Sequence, residues 1–176
     1  MIPEWYTMKF LRSSTYLTLT KEDQQTIKDM SDAICKQDRS YFVDNFKRDK
    51  TMDLNRVNLN GFGAELAFCR LCEIEFDSST NQGENHFNKT DATLKNGMTI
   101  DVKSTVYLSG KLIIRKGKEN KKVNSYVLMI GEFPTFKFAG WTRYKDIIQE
   151  ELIVDMGTGD SYLLPQGSLY KTLKIT

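Results

Sequence analysis

Four charged side chains have the types and the order that metal-assisted hydrolysis of a phosphodiester would require: Glu65, Asp91, Asp101 and Lys103. Such a reaction needs a cation to polarise the phosphoryl oxygen and acidify a water, and a group that orients that water. The hard carboxylate oxygens of Asp91 and Asp101 suit Mg²⁺ or Mn²⁺, with Glu65 completing the shell and the Val102 carbonyl as an extra ligand. Lys103 would contact the water or the scissile phosphate. Carboxylates beside it keep its ammonium charged, which favours positioning and charge stabilisation over general-base work.

These roles dictate what must hold the residues. Side chains alternate along a strand, so in Ile100-Asp101-Val102-Lys103 the charged pair shares one face and the apolar pair the other. The segment 88–107 reads as two strands around Asn96-Gly97. A two-residue loop there would set Asp91 opposite Val102, on the wrong face. A three-residue loop of Lys95, Asn96 and a left-handed Gly97 sets Asp91 opposite Asp101. The three-residue loop is expected, because only that register lets the acidic groups meet the lysine.

Glu65 falls in a helix predicted over 54–74. At about 100° per residue, Phe62, Leu66 and Cys69 form one apolar stripe and Ala64, Ala67, Phe68 and Leu71 another. Arg70, Gly63 and Glu73 make up the polar sector. Glu65 lies between the stripes, beside Gly61 and Cys72, and so points inward, where a carboxylate must be paired, protonated or bound to a cation. A core salt bridge is the structural alternative. Gly61 and Gly63 each lower helix propensity by about 1 kcal/mol against alanine, which suggests the close approach of another backbone.

Elsewhere, Thr20 and Asp23 resemble a capping box before a helix over about 21–36 with Ile27, Met30, Ala33 and Ile34 at helical spacing. Residues 40–52 read as a second short helix anchored by Tyr41, Phe42 and Phe46, and 1–19 as an edge strand or docking arm. The polar run 77–89 is a loop containing the single histidine, His86, which the hydrolytic chemistry does not need. Leu112–Arg115, Tyr126–Gly131 and Thr135–Trp141 are strand candidates. A short helix capped by Thr142 follows, and the tail closes a sheet edge. Tyr107, Tyr126, Trp141 and Tyr144 could stack on bases or fill the core.

The net charge of +2 decides little, but its distribution is uneven. Lys111, Arg115, Lys116, Lys118, Lys121 and Lys122 fall within twelve positions against one glutamate, either as a solvated hairpin tip or as a contact for backbone phosphates. Three cysteines and no apolar leader point to a reducing, cytoplasmic setting. No apolar run approaches the eighteen residues of a membrane span. Cys69 and Cys72 with Cys35 and His86 would offer a zinc site, which is disfavoured because the C-x-x-C lies inside the predicted helix.

Gly63-Ala64-Glu65 on a helix, then Asp91, then Asp101-Val102-Lys103 after a turn, resembles the PD-(D/E)XK nuclease superfamily. Thr90-Asp91 stands where Pro-Asp often does. The resemblance covers about residues 61–141, and Tyr162-Leu163-Leu164-Pro165 with Leu169 is similar to small bacterial and phage members. It implies an α/β, restriction endonuclease-like core with a central mixed sheet flanked by helices, and the length suits one domain over 1–176 with residues 1–53 a mainly helical region packed on it. It also implies Mg²⁺ dependence and DNA as substrate, with RNA second. An endonuclease of resolvase or restriction type is the leading expectation, and a homodimer would suit cutting of both strands. An exonuclease of the same fold and a non-catalytic nucleic-acid-binding module are the alternatives.

Overall fold

The computed structural model describes residues 8–37, 53–78 and 90–176. The candidate helix at 40–52, most of the 77–89 loop and His86 lie outside those residues. The order is β1 Phe10–Arg12, β2 Tyr16–Thr18, α1 Lys21–Gln37, α2 Leu54–Cys72, β3 Ala92–Thr93, β4 Thr99–Thr105, β5 Leu112–Arg115, β6 Ser125–Glu132, β7 Thr135–Arg143, α3 Tyr144–Ile147, β8 Ile153–Asp155, β9 Asp160–Leu164 and β10 Thr172–Lys174. Among the described residues no helix is long and apolar enough to cross a membrane.

The molecule is mixed α/β around a five-stranded sheet ordered β2-β7-β6-β4-β3. β4 and β6 run parallel and the other pairs antiparallel. β6 is buried from Ser125 to Ile130, as a central strand covered on both faces must be. Its alternation separates two cores. Val127 and Met129 join Ile100 and Val102 of β4, Phe136 and Phe138 of β7, and the apolar faces of α1 and α2. Tyr126, Leu128 and Ile130 face a second core with Leu112, Ile114, Tyr162 and Leu164. That core belongs to a three-stranded sheet, β5-β9-β8. The two long helices thus cover one face of the main sheet, and strands together with the short α3 cover the other. The predicted flanking by helices holds for one face.

Thr20 caps α1 by accepting the Asp23 N–H at 3.1 Å. The Asp23 carboxylate binds Arg70 of α2 at 2.7 Å, tying the two helices together. Gly63 is buried, not part of a polar face. A Cβ there would sit 3.0 Å from the Phe136 ring and 3.1 Å from Phe133, so its lack of a side chain lets α2 settle onto β7. Gly61 has open space around it, and the approach inferred from both glycines exists at one.

The tail behaves differently from its reading. β9 is the middle strand of the second sheet, and β10 pairs with β1 in a separate two-stranded ribbon. β2 is an edge strand of the main sheet. Thr142 lies buried within β7, and α3 begins after Arg143 without a side-chain cap.

Candidate active site

The site strand is set by its turn. Leu94 N–H donates to Met98 O at 2.9 Å and Gly97 N–H to Leu94 O at 2.8 Å, with Gly97 at φ +84°, a conformation glycine adopts without strain. This is the three-residue loop. The ladder pairs Ala92 with Ile100 and Thr93 with Thr99 and ends there, so Asp91 lies just beyond the paired residues. Asp91 N–H donates to Ile100 O at 2.9 Å. Its carboxylate then takes the Val102 N–H at 2.6 Å, a donor that a longer β3 would have satisfied with backbone. A strand residue presents its N–H and C=O on one edge, so the Val102 carbonyl also faces the Asp91 side.

Asp101 and Lys103 share the face opposite Ile100 and Val102, in register with Tyr126 and Leu128 of β6. The Asp101 side chain is 9% exposed and ion-paired with the Lys103 ammonium, whose side chain is 40% exposed. Asp101 Oδ1 is buried and has no regular hydrogen bond beyond that ionic contact. Glu65 enters from α2, which packs on β4.

The carboxylates are close enough to act on one another. Burial pushes Glu65 well above the usual carboxylate range, and the charges of Asp91 and Asp101 push further. Burial and Asp101 together raise Asp91 to about 7, against the opposing pull of Lys103 and the Val102 N–H. For Lys103, burial opposes the charged form, but Asp101, Asp91 and Glu65 outweigh it and raise its pKa. The ammonium is held charged, as expected for a positioning group. The four residues read from sequence therefore lie within electrostatic reach of one another.

Cys69 and Cys72 are buried in α2, and burial pushes each thiol up to about 12. Cys35 sits on α1 beside the Asn58 amide. Cys69 and Cys72 are core residues.

All six basic residues of 111–122 are exposed, but they bracket the site strand instead of forming one cluster. Lys111 follows the turn at the end of β4. Arg115 reaches the Thr158 carbonyl at 3.3 Å and Lys116 pairs with Glu150 at 3.4 Å, both on the second-sheet side. The far end of the segment is pinned to the site. Asn120 N–H donates to Tyr126 Oη at 3.1 Å, and Thr99 Oγ1 donates to Lys122 O at 3.1 Å. Tyr126, register partner of Asp101, is fully buried and serves as core and anchor instead of a base-stacking surface. Sequence alone could not assign it that role, because the parallel pairing of β4 with β6 has no local signal.

No protein-family model, characterised protein or solved structure matches this chain.

Among the described residues, no three acidic, histidine or cysteine side chains already stand as a chelating array. The donor chemistry nevertheless fits a hard divalent cation. A buried carboxylate oxygen on Asp101 lacks a regular hydrogen bond, and two further carboxylates near it are driven towards protonation by burial and by the neighbouring negative charge. The Lys103 ammonium supplies part of that charge.

Proposed function

We propose that the chain is a metal-dependent nuclease that hydrolyses DNA phosphodiester bonds, acting as an endonuclease of restriction or resolvase type. The observation that carries this reading is the mutual electrostatic influence of Glu65, Asp91, Asp101 and Lys103 beside a strand with exposed lysines at its ends. Three carboxylates crowded together destabilise the free site and serve no purpose against phosphates unless a cation sits among them.

Asp91, Asp101, Glu65 and the Val102 carbonyl would hold Mg²⁺ or Mn²⁺. When bound, such a cation neutralises charge on the phosphate and acidifies the attacking water. Asp91 fixes the position of Val102 through the backbone N–H and so fixes the carbonyl with it. Lys103 exchanges its partner Asp101 for the water or the phosphate and stabilises charge that develops there. Lys111, Lys121 and Lys122, exposed at the two ends of the strand, meet the backbone phosphates on either side.

The test is nicking of supercoiled DNA with Mg²⁺ or Mn²⁺ against EDTA, run beside linear, single-stranded and branched DNA and RNA. Cleavage should need the metal and should vanish in Asp101→Ala and Lys103→Ala while both variants stay folded. If both cut as well as the parent, the site is elsewhere. Dependence on free ends would make the enzyme an exonuclease. The Lys103 contact favours a second reading, a binding module in which the lysine permanently replaces the cation. Tight DNA binding with no metal-dependent cleavage would select it.

A further inference from the structure

The turn that follows the site strand displays a large apolar side chain on a stiff mount. Leu108 is 79% exposed, the highest value for a large apolar side chain among the described residues, and Tyr107 beside it is 60% exposed. Several contacts fix the backbone beneath them. Gln166 Nε2 donates to the carbonyls of both Leu108 and Gly110 at 2.8 Å. Tyr107 N–H donates to Thr105 Oγ1 at 3.3 Å, and Gly110 N–H closes the turn on Tyr107 O at 2.8 Å. A Cβ at position 110 would lie 2.3 Å from Thr105 Cγ2 and 2.8 Å from Tyr107 O, so the tight turn requires glycine there.

Holding an apolar tip out in water brings the isolated chain no burial. Stiffness is what a group needs if it is to part stacked bases, since a limp side chain would fold back. Lys111, exposed just after the turn, offers a cation to a phosphate beside the tip, while the Lys103 ammonium before the turn stays paired with Asp101. Leu108 lies five positions beyond Lys103, at most about 18 Å of chain, which is roughly five nucleotides of one DNA strand.

We infer that Leu108, assisted by Tyr107, is a wedge that engages an unstacked base, so that the substrate is a duplex with an interruption such as a bulge or a junction. This rests on the nuclease reading for where the cut falls, within about five nucleotides of the interruption.

Binding of a continuous duplex and of the same duplex with one bulged 2-aminopurine, in EDTA so that nothing is cut, tests the wedge directly. The parent should bind the bulged duplex roughly tenfold more tightly, the scale of one stacking contact, and should change the 2-aminopurine fluorescence. Leu108→Ala should lose both effects while keeping its melting temperature and its affinity for continuous duplex, and Leu108→Met should retain them. Cuts mapped with Mg²⁺ should lie within the reach given above. Equal, salt-dependent binding of both duplexes by the parent would overturn the wedge and leave the nuclease reading standing. Binding of neither would overturn the wedge, and the absence of cleavage of either duplex with Mg²⁺ would overturn the nuclease reading. If Leu108→Ala instead converts a dimer to a monomer in sedimentation without altering duplex preference, the tip is a contact between copies and the wedge is wrong.

Discussion

The Asp91 carboxylate accepts the Val102 N–H at 2.6 Å, so a group that would hold a cation also replaces a missing rung of the β3–β4 ladder. Asp91→Asn keeps an acceptor at that place while removing the charge. The variant should fold with a stability gain of about 1 kcal/mol near pH 8, kept small by the partial exposure of the site, yet lose metal-dependent cleavage. Chemical denaturation beside plasmid nicking checks this. Equal loss of stability and activity would make Asp91 structural.

Protons and metal should compete at the site. Asp91 titrates near 7 in the folded chain against its ordinary 3.8, so between those values the folded state keeps a proton that the unfolded state has released. Stability from this group is therefore full below about pH 4 and is lost as pH rises through 7, and Glu65 shifts in the same direction. Melting curves without metal should show that decline. Mg²⁺ should raise the melting temperature at pH 8 and have little effect at pH 5, and Asp91→Asn should flatten both trends.

The two glycines of α2 should answer alanine with opposite signs. At Gly61 a Cβ meets nothing within 4 Å, so Gly61→Ala should stabilise by about 0.5–1 kcal/mol through helix propensity. At Gly63 the Cβ would press on Phe136, a ring with no exposure, and Gly63→Ala should destabilise by about 1 kcal/mol once overpacking outweighs propensity. Because Gly63 seats the helix carrying Glu65, cleavage should fall further than stability. Thermal melts of the two single variants decide the matter.

Arg70 offers a control that leaves the site alone. It pairs with Asp23 at 2.7 Å, with Arg70 about half exposed and Asp23 nearly covered, and the hydrogen bond from Arg70 holds Asp23 below the usual carboxylate range. Arg70→Ala should cost about 1 kcal/mol at neutral pH and progressively less as acid protonates Asp23, with cleavage unchanged. Urea titrations at pH 7 and at low pH measure the difference.

Local signals carried much of this geometry. The Thr20 cap and apolar spacing mark α1, and Leu112–Arg115 reads as a strand from its composition. The Asn-Gly pair together with the need for Asp91 to meet Asp101 selects the bulged turn. Long-range pairing is what residue patterns do not encode. Nothing in Tyr162–Leu164 reveals that it is the centre of a second sheet, nor in Thr172–Lys174 that it seeks β1. Thr142 looks like a cap because Ser and Thr favour helix starts, but its buried place in β7 overrides that preference. Gly63 looks solvated on a helical wheel because glycine shows no side chain with which to declare its face.

The ribbon of β1 with β10 bears on synthesis. Leu11 faces Leu173 across that ribbon and both lie in the helix-side core. On a ribosome, Leu11 emerges early and waits for Leu173 of β10, roughly ten seconds or more at ordinary elongation rates. Until then the helix-side core stands open beside the half-made site, so this core closes late in synthesis however early its helices form.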